Sequence, residues 1–316
     1  MFNTPSFWYQ EKSFLSILLT PLSWLYQVGH IILQFLPKDT YEANIPVICV
    51  GNAIAGGGGK TPMVIALVKL LKEQEAYKNP YIITRGYGRK TNEPLLVDPG
   101  IHSAEYAGDE PLLLVQHAPT IVCSDRGRAA ALAEKKGADI ILMDDGLLNR
   151  SLYKDLSFLV VDRKIDFGNN KTLPAGPLRE SLPRILSRVD AVITIGRPFD
   201  AADHPVFESQ LIADQKPSSD KKYIAFAGIA IPDKFKNTLL DLGYVLKGWF
   251  PFPDHHPYSK SDIQKLTQTD GHLITTEKDY VRLPSKFKNQ IETLPVHIQI
   301  IDPNRLIEFI KNRLKP

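Results

Sequence analysis

The sequence predicts an α/β protein: a P-loop NTPase-like α/β/α domain, a second, smaller α/β domain, and an N-terminal membrane-associating helical segment. Three observations carry this. The buried-strand pattern IPVICVGN runs into the glycine loop GGGGKTP and then into the apolar helix pattern MVIALVKLLKE. Five further apolar runs, YIITRGYG, APTIVCSDR, ADIILMDDG, SFLVVDR and DAVITIGRP, alternate with helix or loop patterns, as in a parallel sheet buried on both faces. Finally, residues 13–37 contain no Asp, Glu, Lys or Arg.

That uncharged stretch comes first in the chain, and residues 1–37 are read as the membrane-associating segment. Its polar residues Ser16, Thr20, Ser23, Gln27, His30 and Gln34 recur at steps of three and four, one narrow stripe on an otherwise apolar helix. Pro21 predicts a break, with a short first helix and a second starting near it. Such a segment suits lying in or dipping into one leaflet better than a straight span. A cleaved signal peptide is disfavoured, because the stretch ends in QFLPKD without a small-residue cleavage pattern. The competing reading is a core-packing helical hairpin of a soluble protein.

The next element is the phosphate loop. Glycines at Gly56, Gly57, Gly58 and Gly59 let backbone N–H groups turn toward phosphate oxygens, and the following helix start adds its partial positive charge. Lys60 is placed to reach the terminal phosphates, the Thr61 hydroxyl to ligate Mg²⁺, and Pro62 closes the motif. A nucleoside triphosphate is the implied ligand. The spacing is unusual, since Ile54 stands where the first glycine of a G-x-x-x-x-G-K-T loop belongs.

Ligands of such sheets gather at the carboxyl ends of the strands, where this chain puts Arg85 to Arg89, Asp125 and Arg126, Asp144 and Asp145, and Asp162 and Arg163. IILMDDG delivers two carboxylates at a strand end, as a metal-holding acid pair does, so Asp144 and Asp145 are assigned to Mg²⁺. GDEP opens a helix with Asp109 at its start, which fits a capping acid and a catalytic one equally well. In PAGPLRE, Arg179 and Glu180 offer a guanidinium for transition-state charge on a Gly/Pro loop, or a surface ion pair.

Residues 197–222 turn polar and proline-bearing, and the domain connection is placed there: 38–197 as nucleotide-binding kinase domain, 198–316 as the smaller α/β domain closing the cleft. Its last helix, around residues 304–314, is a candidate to pack back on the first domain. In the second domain, FPDHHPYS combines two histidines and an aspartate in a proline-flanked loop, a candidate for acid–base work or, less well, for metal.

The whole chain has 316 residues, a formal net charge of +3 and two cysteines, Cys49 and Cys123, both in apolar strand patterns. The charge disfavours nucleic acid as partner, and the cysteines fit a reducing compartment without a metal site.

The order VGN, GGGGKTP, RGYGR, GDEP, DDG, PAGPLRE, FAGI, FPDHH and TTEKD resembles the tetraacyldisaccharide 4′-kinase family over nearly the whole chain. The resemblance implies ATP and Mg²⁺ as cofactors and transfer of the γ-phosphoryl group to the 4′-hydroxyl of a tetraacylated glucosamine disaccharide 1-phosphate. It further implies work at the cytoplasmic face of the bacterial inner membrane; a monomer is the expectation for the chain. Position by position, it makes Asp109 the catalytic base and His255 its partner. Lys60 and Thr61 become nucleotide and Mg²⁺ residues, Asp144 and Asp145 the metal acids, Arg179 and Glu180 an active-site pair, and Arg85, Tyr87 and Arg89 a substrate loop. Two departures stand out: Gly58 replaces the Thr or Ser of GGTGKT or GGSGKT, and Leu147, Leu148 and Asn149 replace the FQH that usually follows DDG. The rival readings are another P-loop NTPase, or a catalytically weak membrane-attached nucleotide-binding protein.

Overall fold

The computed structural model describes residues 4–86, 93–201, 203–218 and 220–314. Thirteen strands form two sheets among them: β1 (Val47–Gly51), β2 (Pro80–Thr84), β3 (Leu95–Leu96), β4 (Thr120–Val122), β5 (Ile140–Asp144), β6 (Leu156–Asp162), β7 (Ala191–Ile195), β8 (Val206–Ala213), β9 (Tyr223–Ala227), β10 (Leu246–Pro251), β11 (His272–Thr276), β12 (Ile291–Leu294) and β13 (Val296–Ile300). The large sheet runs β13-β8-β7-β6-β1-β5-β2-β4-β3, with β1 near its middle and parallel to both neighbours. The small sheet, β10-β9-β11-β12, is parallel throughout.

β1 is buried on both faces because VICVG offers apolar atoms at every position. Alternation sends Ile48 and Val50 to one face, against Leu67 and Leu71 of helix α2 (Lys60–Glu73), in one core cluster. Val47 and Cys49 go to the other, in a cluster with Ala129, Ala130 and Ala133 of the helix Arg126–Lys135. Both cysteines are buried, and neither is in a disulfide.

The chain divides into two compact units, one of Pro5–Leu211 joined by the return of the chain from Ile298, the other centred on Ile212–His297. The division follows contacts and so differs from the compositional one. β8 extends the large sheet past residue 197, and the last helix, Pro303–Arg313, buries Leu306, Ile307 and Ile310 in the same core as α2.

Helix α1 (Phe14–Phe35) runs unbroken through Pro21, against the predicted break. A proline removes only one helical N–H, and here tertiary bonds hold the helix on both sides of it. Ser16 Oγ donates to Ala175 O at 2.8 Å, and Ser23 Oγ donates to Thr172 O at 2.9 Å while accepting from Ala175 N at 3.0 Å. Gln27 Nε2 adds a bond to Thr172 Oγ1 at 2.9 Å. The polar stripe therefore faces the protein, and the apolar residues face outward: Ile17, Leu18, Trp24, Leu25, Val28, Ile32 and Leu33 are all more than half exposed. Among the described residues α1 is the one helix long and apolar enough to cross a membrane. That exposure is compatible with membrane association and excludes a buried hairpin.

Candidate active site

The glycine loop follows β1 directly. Ile54, the residue at the unusual position, is buried and bridges Leu178, while Ala55 N donates to Pro177 O at 2.8 Å and Arg179 N to Ala53 O at 3.0 Å. The first part of the loop is thus a short ribbon paired with PAGPLRE, so a glycine is not needed there. Left-handed backbone begins at Gly56, φ 111°, and returns at Gly59, φ 78°, which caps α2. A side chain at Gly59 would also run into Ile195.

Lys60 opens α2, its side chain 12% exposed. Its Nζ donates to Asn52 Oδ1 at 2.9 Å and lies 3.7 Å from Asp145 Oδ2. Thr61 occupies the next helical position. Pro62 sits in the first turn, where a missing N–H costs nothing.

Parallel pairing sets Asp144 beside Val50 and lets Asp145 N donate to Val50 O at 2.9 Å, so both acids stand at the carboxyl ends of the central strands. They then diverge. Asp144 is buried, and its Oδ1 has no hydrogen-bond partner. Burial, then Glu110 and Asp145, push its carboxyl up to about 7 against the pull of Lys60 and Arg126. Asp145 takes a left-handed backbone, φ 55°, and is held by Arg179 through Nη1 to Oδ1 at 2.8 Å and Nη2 to Oδ2 at 3.0 Å. Burial raises its carboxyl too, but Lys60 and Arg179 outweigh that and hold it down at about 2.

Glu180 does not join this cluster. Buried at 2% exposure, it accepts from Gln34 Nε2 at 2.6 Å and pairs with Arg188 Nη1 at 2.8 Å, on the side facing α1. Asp109 is buried at the start of the helix Asp109–Leu114, its Oδ1 accepting from Glu110 N at 3.0 Å. Arg85 is exposed at the end of β2, whereas Tyr87 and Arg89 lie outside the described residues.

His255 belongs to the smaller unit. Its backbone is left-handed, φ 57°, its N–H reaches Gly228 O at 3.1 Å, and its Nε2 lies 3.7 Å from Asp254 Oδ2. The loop is braced by the aspartate of TTEKD: Asp279 Oδ1 accepts from Gly228 N at 2.9 Å, Tyr258 Oη at 2.7 Å and Arg282 Nη2 at 2.6 Å.

Two of the three departures after DDG, Leu147 and Asn149, have structural roles. Leu147 fills the core beside Gly51, Leu148 is half-buried, and Asn149 Oδ1 accepts from Ser151 N and Oγ, both at 2.9 Å. Arg126, expected at a strand end, is buried and acts on Asp144, whereas sequence reasoning missed Asn52 and Glu110. Both lie inside a motif already noticed (VGN, GDEP), so the available signal was a polar residue at the carboxyl end of a buried strand or opening the next helix.

The family model for tetraacyldisaccharide-1-P 4′-kinase, LpxK, matches residues 15–315 of this chain. The chain belongs to this family. A tetraacyldisaccharide 4′-kinase of Bradyrhizobium sp. strain BTAi1 is 40% identical over 331 residues, covering 98% of this chain and 95% of that protein. One from Rhodospirillum centenum is 39% identical over 323 residues, covering 96% and 94%. The crystal structure of an "apo" form of LpxK from Aquifex aeolicus in complex with ATP superposes with a TM-score of 0.79 at 29% identity, covering 95% of this chain and 100% of that one. The tetraacyldisaccharide 4′-kinase fold, a P-loop α/β unit with a smaller α/β unit and an apolar N-terminal helix, is therefore the fold of this chain.

Proposed function

We infer that this chain is an ATP-dependent kinase that phosphorylates the 4′-hydroxyl of a tetraacyldisaccharide 1-phosphate in lipid A biosynthesis. Within the family assignment, one observation carries the reading: Lys60, Asp145 and Arg179 converge where the glycine loop meets α2, beside a buried Asp144 lacking a partner for Oδ1.

Backbone N–H groups of residues 56–59 and the start of α2 would cradle the phosphates. Lys60, leaving Asn52, would meet the β- and γ-phosphates. Bound Mg²⁺ supplies charge neutralisation at the transferring phosphoryl group. Mg²⁺ is commonly held by one or two carboxylates plus phosphate oxygens, and an orphaned, buried carboxylate fits that donor set. Asp144 is accordingly the first choice for the metal, with the Thr61 hydroxyl, while Asp145 spends its oxygens on Lys60 and Arg179. Arg179 faces the charge that spreads over the γ-phosphoryl oxygens.

In the transfer itself the 4′-oxygen forms its bond to the γ-phosphorus, the bond to the ADP oxygen breaks, and the hydroxyl proton passes to Asp109. Its pairing with His255, and the role of Arg85, Tyr87 and Arg89 at the glucosamine phosphate, rest on the resemblance. The outward apolar face of α1 supports attachment to one leaflet, and the need for ATP supports the cytoplasmic side.

Transfer of labelled phosphate from ATP to the purified disaccharide lipid tests the reading, with Asp109→Ala, His255→Ala and the double variant alongside. Residues acting as one unit lose turnover non-additively, so the double should be scarcely worse than the poorer single. Full additivity removes the dyad. ATP binding without transfer by the wild type leaves the nucleotide-binding protein as the function.

A further inference from the structure

Five contacts tie the end of α1 to the two loops that build the phosphoryl site. Arg150, five residues beyond Asp145, donates through Nη1 to Leu33 O at 2.7 Å and through Nη2 to Leu36 O at 2.6 Å, capping the carbonyl end of the helix. Gln34 Nε2 donates to Glu180 Oε1 at 2.6 Å, and His30 Nε2 lies 3.3 Å from the same oxygen. Arg188 closes the cluster, with Nη1 2.8 Å from Glu180 Oε2 and Nη2 donating to Gln34 Oε1 at 2.6 Å.

Glu180 and Arg179 are adjacent and face opposite ways, one to α1 and the other to Asp145. A carboxylate this buried holds its place only while its partners do, since moving it without them strands a charge. Turning the Glu180 backbone to find new partners would also turn Arg179, whose fork must lie in the plane of the Asp145 carboxylate. We propose that Glu180 is a positioning residue that transmits the seating of α1, through His30 and Gln34, to the Arg179 grip on Asp145, so that the helix facing the lipid sets turnover as well as attachment.

This rests on Lys60, Asp145 and Arg179 being the phosphoryl-transfer site, which Arg179→Ala tests by itself. The coupling is tested on the full chain with the helix-side variant His30→Ala/Gln34→Ala, with Glu180→Gln, and with the exchange Gln34→Glu/Glu180→Gln. Measured are kcat and lipid KM at saturating ATP and Mg²⁺, sedimentation with membranes, and Tm.

Coupling predicts that His30→Ala/Gln34→Ala and Glu180→Gln lose on the order of tenfold in kcat, the size seen when groups orienting a catalytic ligand are removed, with lipid KM and sedimentation unchanged. The exchange should recover much of the loss, because one carboxylate and one amide again face Arg188. A raised KM with kcat intact would mean that the contacts only anchor the helix. A lowered Tm with the kcat of the folded fraction intact would mean that they only stabilise it. Either overturns the proposal, as does an exchange no better than Glu180→Gln. If Arg179→Ala keeps full turnover, the site reading fails. If Arg179→Ala is inactive while the helix-side variant matches wild type, the coupling alone fails.

Discussion

Arg179 holds Asp145 by both guanidinium nitrogens, at 2.8 and 3.0 Å, and the aspartate it grips has a left-handed backbone, φ 55°. Asp enters that region more readily than most residues, yet the conformation still needs support from its surroundings. Pairing of residues 177–179 with the ribbon before the glycine loop supplies it, by bringing Arg179 to the carboxyl end of β5.

Arg179→Lys keeps the charge and loses the fork. Single-turnover transfer at saturating ATP should slow on the order of tenfold to a hundredfold. Tm should move little, since the arginine side chain is 27% exposed. A lysine variant at wild-type rate would remove the grip from the mechanism.

Asp144→Asn should abolish transfer and stabilise the metal-free protein. Burial raises the Asp144 carboxyl to about 7, so the native state keeps a proton that the unfolded chain releases from about pH 4 upward. Wild-type stability therefore falls between about pH 4 and 7, and the variant escapes that loss. Its advantage should be absent near pH 4 and complete above pH 7, on the order of 4 kcal/mol for a carboxyl raised from its usual value to about 7. Thermal melts in chelator across that range check the sign. An advantage that shrinks as pH rises contradicts the assignment.

Gly58→Ser restores the side chain common in the family, but its Cβ would collide with the Asn52 amide. The amide is the free end of a side chain and can swing away, giving up its bond to Lys60. Lys60 should then reach phosphate more readily and ATP bind roughly two- to tenfold tighter, the worth of one hydrogen bond. Calorimetric titration reads this directly. Weaker binding would show that Asn52 prepares Lys60 and does not restrain it.

The two faces of α1 should separate in experiment. Leu18→Lys/Leu25→Lys alters residues 63% and 69% exposed, and should release protein from membranes with Tm unchanged. Ser23→Ala removes two buried hydrogen bonds and should cost about 1–3 kcal/mol with membrane binding retained. The opposite pattern, sedimentation lost only in Ser23→Ala, would place the lipid-facing surface on the polar stripe.

Much of the site was legible because local chemistry dictates it. A run of glycines before a lysine and an apolar helix needs only its own backbone freedom to form an anion site. Two acids after IILM stand at a strand end once the strand is buried. The helical spacing of Ser16, Thr20, Ser23, Gln27, His30 and Gln34 likewise announced a single polar face. Which way that face turned was not legible, since a polar stripe pairs equally well with water, lipid headgroups or protein carbonyls.

By itself, then, the sequence determined the parallel α/β architecture, the phosphate loop, the acid pair and the uncharged helix, all set by periodicity and by residues adjacent in the chain. Only the tertiary structure decided that Asp144 keeps an Oδ1 without a hydrogen-bond partner while Asp145 takes Lys60 and Arg179, that Glu180 leaves its neighbour to meet α1, and that α1 runs straight through Pro21. Each of these depends on hydrogen bonds or charges between segments far apart in the chain. Such bonds exist only after the sheet has set the strand ends side by side, and a local pattern holds no record of them.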